Sequence, residues 1–127
     1  MHKSRLAGFI IDCKEADLAN AAMFWSKALG MQAGASKENL YVPLLAQDRD
    51  LHIEVQKVSH ESRIHLDIET DDVEAEVTCL EQLGACRVEQ RSTNSYIWWI
   101  MEAPTGHRFC VVQVQSKDKS GTMNEWL

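Results

Sequence analysis

Histidine, carboxylate and thiol side chains recur at alternate positions in three strand-like segments of this chain. His52 and Glu54 alternate in one segment, His65 and Asp67 in the next, and Cys110 lies in a third. Side chains two residues apart on a strand point to the same side of a sheet, so we expect these five residues to share one face. A carboxylate enclosed there by aromatic surface would have its pKa raised toward the range useful for proton abstraction beside a carbonyl.

The segment 95–102 is unusually rich in large apolar side chains. Alternation gives this segment two faces, one carrying Trp98 and the other carrying Trp99 and Met101. Core packing alone needs large side chains on only one of them. The second large set predicts stacking on a planar ligand or a subunit interface, with ordinary edge-strand packing as the alternative.

The elements that must position these residues form an internal repeat. Residues 10–30 and 65–84 run through the same order of chemical types, which is a strand, an acidic turn, a helical pattern and a Leu-Gly stop. Each helical pattern follows a capping aspartate and ends at a glycine, namely Asp17 and Gly30 in the first copy, and Asp71 or Asp72 and Gly84 in the second. The repeat predicts two small modules that face each other, with the functional site in the cleft between them.

We predict a single domain of the α+β class, built from two tandem βαβββ modules that form a curved mixed sheet around a cleft. Module one spans about residues 5–58 and module two about 62–115, and a polar tail follows at 116–127, whose middle we expect to fray. The predicted strands are 6–13, 31–35, 39–45, 50–57, 63–69, 86–90, 95–102 and 107–114, with one of the turns at 47–50.

Composition limits the function classes. With 127 residues, of which 45% are hydrophobic and 25% charged, the chain is one globular domain. A formal charge of -6 with scattered basic residues argues against a nucleic-acid partner. No apolar run approaches the roughly 20 residues of a spanning helix, so we expect no membrane partner and a cytoplasmic location. The four cysteines lack CxxC spacing, which predicts reduced, buried thiols.

Three longer motifs carry a resemblance to a known family. They are the helix segment MFWSKALGM at 23–31, the strand and acidic turn HLDIETDDVEAEV at 65–77, and the closing segment EAPTGHRF at 102–109. Together with the two modules, they resemble the vicinal oxygen chelate (VOC) superfamily, which includes glyoxalase I, extradiol dioxygenases and the bleomycin- and fosfomycin-resistance proteins. The resemblance covers about residues 5–115, looks closest to glyoxalase-like domains, and implies a fold more specifically than a reaction.

In the metal-dependent members of this superfamily, ligands project from the first and last strands of each module, typically His, Glu, His and Glu. The first-strand positions correspond to Ile10 in module one and His65 in module two. The last-strand position is Cys110 in module two, and His52 or Glu54 in module one. Two imidazoles and a thiolate could bind zinc, but the isoleucine breaks the set. We therefore expect no obligatory metal, and a bound divalent metal would be held by His52, Glu54 and His65.

The resemblance leads to one main hypothesis and two alternatives. The main hypothesis is a glyoxalase-like protein that binds a small, partly aromatic organic molecule in the cleft without a cofactor. The alternatives are a divalent-metal-dependent lyase, isomerase or dioxygenase, and a protein that sequesters a drug or toxin. Superfamily relatives often dimerise, so we expect a homodimer. The candidate catalytic residues are Glu54 and His65, and the candidate ligand-binding residues are His52, Asp67, Trp98, Trp99, Met101 and Cys110.

Overall fold

The structure, a computed structural model, describes residues 1–14, 17–45, 51–114 and 123–127. Its helices and strands in chain order are β1 (His2–Lys14), α1 (Leu18–Leu29), β2 (Gln32–Ala33), β3 (Tyr41–Leu45), β4 (His52–Val58), β5 (Arg63–Thr70), α2 (Val73–Gln82), β6 (Cys86–Ser92), β7 (Ile97–Glu102), β8 (Arg108–Gln113) and β9 (Asn124–Trp126). The predicted turn at 47–50 and the middle of the predicted tail, at 116–122, lie outside the described residues. Neither helix of the described part has the length and apolar character needed to span a membrane.

The chain divides into two compact units. The first unit is Gly8–His65, and the second unit combines Met1–Ala7 with Leu66–Leu127. The division falls inside β1 and inside β5, so each of these strands contributes residues to both units.

In the first unit, β1 runs parallel to β4, while β3 and β2 extend the sheet by antiparallel pairing in the order β2-β3-β4-β1. Helix α1 packs on one face of this sheet because its apolar side chains recur at helical spacing. The buried core of the unit consists of Ile11, Met31, Leu44, Ile53 and Val55.

The second unit repeats this plan. Strand β5 runs parallel to β8, and β7 and β6 follow by antiparallel pairing in the order β5-β8-β7-β6. Its buried core, which includes a side chain of α2, consists of Val77, Ala85, Met101 and Val111. The mixed sheet with two helices confirms the predicted α+β class and the βαβββ order of elements.

Local sequence signals set the bounds of both helices. The side chain of Asp17 accepts a hydrogen bond from the backbone N–H of Asn20, and that of Asp72 accepts one from Ala75. These bonds satisfy N–H groups that have no partner within the helix. Gly30 ends α1 with φ of 67°, a left-handed conformation that glycine adopts at little cost.

The N-terminal part of β1 belongs to the second unit and begins earlier than the predicted residue 6. Strand β9 pairs with it in antiparallel register, and the indole N–H of Trp126 donates to Ser4 Oγ over 2.7 Å. His2 Nε2 lies 2.7 Å from Glu76 Oε1, and both side chains are buried. These contacts join residues far apart in sequence, which is why a local pattern did not predict them.

Candidate functional site

Alternation along β1 and β4 gives the sheet of the first unit two different faces. Ile11, Ile53 and Val55 lie in the core beneath α1. The residues between them lie on the opposite face and pair directly across the two strands, with Gly8 beside His52, Ile10 beside Glu54 and Asp12 beside Gln56. We call this surface the polar face and define it by Asp12, His52, Glu54 and His65.

Asp12 holds a buried carboxylate on the polar face. Its side chain is only 1% exposed, and its Oδ2 lies 2.8 Å from His65 Nδ1. An ionised carboxylate can only accept, so the imidazole donates its Nδ1 proton to Asp12. A neutral ring protonated on Nδ1 has its lone pair on Nε2. The contact therefore makes His65 Nε2 the proton-accepting atom of the pair.

Two more basic side chains lie around Asp12. Arg63 Nε is 3.8 Å and His60 Nε2 is 3.9 Å from Asp12 Oδ2, and an Arg63 guanidinium nitrogen lies 3.4 Å from His60 Nε2. Unlike the carboxylate, these two side chains are 46% and 41% exposed. With His65, they give the buried negative charge three basic neighbours, which offsets the cost of removing it from water.

Glu54 forms a second pair of a carboxylate with an imidazole. Its Oε1 lies 2.9 Å from His52 Nε2 and 3.7 Å from Lys37 Nζ. Burial acts to raise the pKa of Glu54, but the hydrogen bond and charge of His52, together with Lys37, outweigh burial and hold that pKa below its ordinary value. The raised pKa expected for an enclosed carboxylate does not occur here, because two basic groups face Glu54. The residue is an anionic acceptor at neutral pH.

Asp67 and Cys110 lie in the second unit. They are directly paired residues of the parallel strands β5 and β8, and both are half-buried. Alternation along β5 puts His65 on the same side of that strand as Asp67. An imidazole, a carboxylate and a thiol are donor types that bind zinc and related metals.

The aromatic strand β7 distributes its large side chains between two faces. Met101 is fully buried in the core of the second unit, and Trp99 packs against that core. The Arg87 guanidinium lies 4.9 Å from the centre of the Trp99 ring, a cation–π contact that holds the ring in place. Trp98 is half-buried on the other face. Met101 therefore serves packing, and Trp98 is the β7 candidate that lies away from the core.

The cores of the two units allow the repeat to be aligned in space. Val55 of β4 and Val111 of β8 are both fully buried in the cores beneath their helices. The residues that precede them, Glu54 and Cys110, therefore occupy equivalent positions. Alignment of the sequence alone matches Cys110 with His52 instead, two residues away on the same face.

The same spatial alignment shows that the first unit lacks a metal ligand on its first strand. The strand pairing makes Ile10 equivalent to Asp67 and Gly8 equivalent to His65. Ile10 is apolar and buried. Gly8 cannot carry a side chain, because a Cβ there would lie 1.7 Å from the carbonyl oxygen of His52. The residues present therefore do not fit the superfamily's four-ligand metal set.

A cavity of about 540 Å³ also lies within the first unit, but on the side of α1. It is lined by α1 residues between Leu18 and Ser26, by the N-cap Asp17, by the segment 33–39 and by Val42. None of the candidate catalytic or ligand-binding residues lines it. The cavity lining is mostly apolar, whereas the polar face carries the paired carboxylates and imidazoles.

Three residues around this site were not predicted from the sequence, namely Asp12, His60 and Arg63. A signal for the first was present, since Asp12 is the charged residue in an otherwise apolar strand segment at 6–13. Its partner His65 is 53 positions away in the sequence, and no local pattern predicts such a pair.

Comparisons with known proteins agree with this fold. A family model described as a glyoxalase-like domain matches residues 8–112. Comparison with curated proteins gave no match.

Solved structures with a similar chain path have different activities in their descriptions. Methylmalonyl-CoA epimerase from Mycobacterium tuberculosis superposes with a TM-score of 0.64 at 16% identity, covering 88% of this chain and 91% of the epimerase. A glyoxalase/bleomycin resistance protein/dioxygenase superfamily member from Vibrio splendidus 12B01 gives 0.62 at 14% identity, covering 87% and 99%. A protein described as NAD-dependent benzaldehyde dehydrogenase from Legionella pneumophila gives 0.64 at 9% identity, covering 84% and 99%. At these identities the likeness shows the fold alone.

Proposed function

The chain belongs to the glyoxalase-like domain family of the VOC superfamily, and on that premise we propose that it binds a small organic molecule on the polar face of its first unit, without an obligatory metal. One observation carries the proposal. Asp12 with His65, and Glu54 with His52, form two carboxylate–imidazole pairs on the sheet face that α1 leaves uncovered. Ile10, paired with Glu54 across the two strands, is a buried apolar side chain next to these groups. Apolar surface with a few placed polar groups is typical of small-molecule sites.

The chemistry that such a face supports is proton transfer beside a carbonyl. His65 Nε2 would accept the proton, and the imidazolium formed would be stabilised by the Asp12 carboxylate 2.8 Å from Nδ1. Glu54 remains ionised and can accept a hydrogen bond from a ligand hydroxyl or act as a second base. These are the roles we assign to the two candidate catalytic residues.

A metal-dependent lyase, isomerase or dioxygenase is the second candidate function. The observation in its favour is the set of donor types that His65, Asp67 and Cys110 supply on β5 and β8. The observation against it is that Gly8 and Ile10 supply no ligand in the first unit.

Elemental analysis of protein purified without a histidine tag separates these two functions. The proposal expects no stoichiometric metal in the wild type or in His65→Ala. A stoichiometric metal that disappears in His65→Ala would contradict the proposal and support the metal-dependent enzyme.

Ligand-observed NMR with planar aromatics and small carbonyl compounds tests binding itself. We expect ligands to lose affinity in His65→Ala and to keep it in Arg91→Gln, a matched control on β6 whose charge is paired with Glu89. Prolonged incubation then shows whether the bound compound is converted, which assigns an enzyme, or is unchanged, which assigns sequestration. Equal binding by His65→Ala and the wild type would place the ligand elsewhere.

We also propose that the protein is a homodimer in the cytoplasm. Strands β2 and β6 each end the strand order of their unit, and exposed strand edges favour association. Light scattering should give twice the chain mass of 14.4 kDa, and cell fractionation should recover the protein with the cytosol. A monomer mass would contradict the dimer, and recovery with the membranes would contradict the cytoplasmic location.

A further inference from the structure

We propose that Arg63 and His60 make the polar face selective for small organic acids, by binding a carboxylate or phosphate group of the ligand beside His65. This inference rests on the proposed function, because it names the class of molecule that the same site accepts. It concerns two residues to which the proton chemistry above gives no role.

The two side chains are placed to reach both the buried pair and the solvent. Arg63 and His60 approach Asp12 only to 3.8 and 3.9 Å, beyond hydrogen-bond distance, and close to half of each side chain is exposed. His65 makes the hydrogen bond to Asp12 at 2.8 Å. Arg63 and His60 therefore form a partly exposed rim around the Asp12 carboxylate, which already accepts a hydrogen bond from His65.

Compensation of the buried charge is one role of this cluster, but one atom shows that it does not use up the donors of Arg63. Asp12 Oδ1 is buried and has no hydrogen-bond partner among the described residues. An arginine whose purpose was to stabilise that carboxylate would bond both of its oxygens, since the guanidinium fork matches a carboxylate. Arg63 does not do so, and its donors are not used up by Asp12.

The fixed charges around this rim cancel one another. Arg63 offsets the charge of Asp12, and the nearby Lys14 is paired with Glu61 at 2.5 Å. The whole chain carries a formal charge of -6, so it repels an anion at long range. Recognition of an anion must therefore come from short contacts at this rim.

The group that these donors fit is planar or tetrahedral and carries two or more anionic oxygens. Guanidinium donors bind carboxylate and phosphate oxygens in a bidentate manner. A ligand held in this way would place its adjacent carbon next to His65, the proton acceptor of the proposed function.

Matched probes test the inference. Benzoate and benzamide share shape and aromatic ring but differ in charge, and phenyl phosphate adds the second type of anion. We expect NMR titration of the wild type to give benzoate about tenfold higher affinity than benzamide, the scale of one charge-assisted hydrogen bond at a partly exposed site. Arg63→Gln should remove that preference by weakening benzoate alone, Arg63→Lys should restore part of it, and Arg91→Gln should leave it intact. Tighter binding of phenyl phosphate than of benzoate would identify phosphate as the preferred group.

The outcomes separate the two proposals. Equal affinity for benzoate and benzamide in the wild type, with both lost in His65→Ala, would overturn the anion selectivity and leave the proposed site standing. Failure of all three probes to bind would overturn both. Since Arg63 is half exposed, Arg63→Gln is expected to fold normally, and its circular dichroism spectrum checks this.

Discussion

Gly8→Ala is the substitution whose effect the structure defines most sharply. A Cβ at this position would lie 1.7 Å from the carbonyl oxygen of His52 and 2.6 Å from its amide nitrogen. Real Cβ atoms essentially never approach other atoms closer than 3.0 Å, so β1 and β4 must separate locally by more than 1 Å. Gly8 does not have a positive φ, so its backbone conformation does not penalise alanine. The cost of the substitution comes from the steric contact with His52.

The cost follows from the bonds that such a separation breaks. A backbone hydrogen bond near 2.9 Å that lengthens by more than 1 Å is lost. Losing two neighbouring ladder bonds at about 1 kcal/mol each, with about 1–3 kcal/mol for overpacking, gives a decrease of about 3–5 kcal/mol in the free energy of unfolding. The loss of glycine flexibility in the unfolded chain returns less than about 1 kcal/mol of this.

Urea denaturation followed by circular dichroism measures the effect, with Gly30→Ala as the matched control. Gly30 has φ of 67° and nothing within 4 Å of an added Cβ, so its substitution should cost only about 1–2 kcal/mol of backbone strain. A Gly8→Ala protein as stable as Gly30→Ala, or more stable, would refute the close approach of β1 and β4. A Gly8→Ala protein that does not fold at all would agree with it.

Three further predictions concern the polar face and its surroundings. Asp12→Ala should lower the free energy of unfolding by about 2–4 kcal/mol, because it leaves the half-buried His65 donor without its acceptor; a change below about 0.5 kcal/mol in urea titrations would contradict the Asp12–His65 hydrogen bond. Glu54→Gln should be less stable than the wild type at neutral pH, and the difference should vanish under acid. The sign follows from the pKa of Glu54, which lies below its ordinary 4.5 when folded, so the stabilisation is complete above that ordinary value and is lost as pH falls through the folded one. A difference that grows on acidification would contradict this. Burial and the adjacent Asp12 charge raise the pKa of the Cys13 thiol, so iodoacetamide should modify the exposed Cys86 first; equal rates measured by peptide mass spectrometry would contradict the burial.

Much of the fold follows from local sequence signals. Asp17, Asp72 and Gly30 fix helix ends because their side chains, or the lack of one, act on neighbouring backbone groups. The alternation of His52 and Glu54 with Ile53 and Val55 fixed which side of β4 is polar, because the strand period is two. The early start of β1 was missed, since its pairing with β9 joins the two ends of the chain.

The site was harder to predict from the sequence, because its contacts depend on which distant strands become neighbours. The candidate His65 lies on the polar face, but its bond to Asp12 depends on which strands become neighbours. Alternation on β7 left two faces open, and the register against the core decided that Met101 packs inside. The alignment of the repeat by sequence chose His52 as the counterpart of Cys110, whereas core packing makes it Glu54.

The most direct test of metal-free binding on the polar face is backbone amide chemical-shift mapping, in the presence of EDTA, with the tightest planar aromatic from the screen. We expect shifts centred on Asp12, Glu54 and His65, with the same affinity before and after the chelator. Shifts confined to the cavity beside α1, or binding that EDTA abolishes and a divalent metal restores, would contradict it.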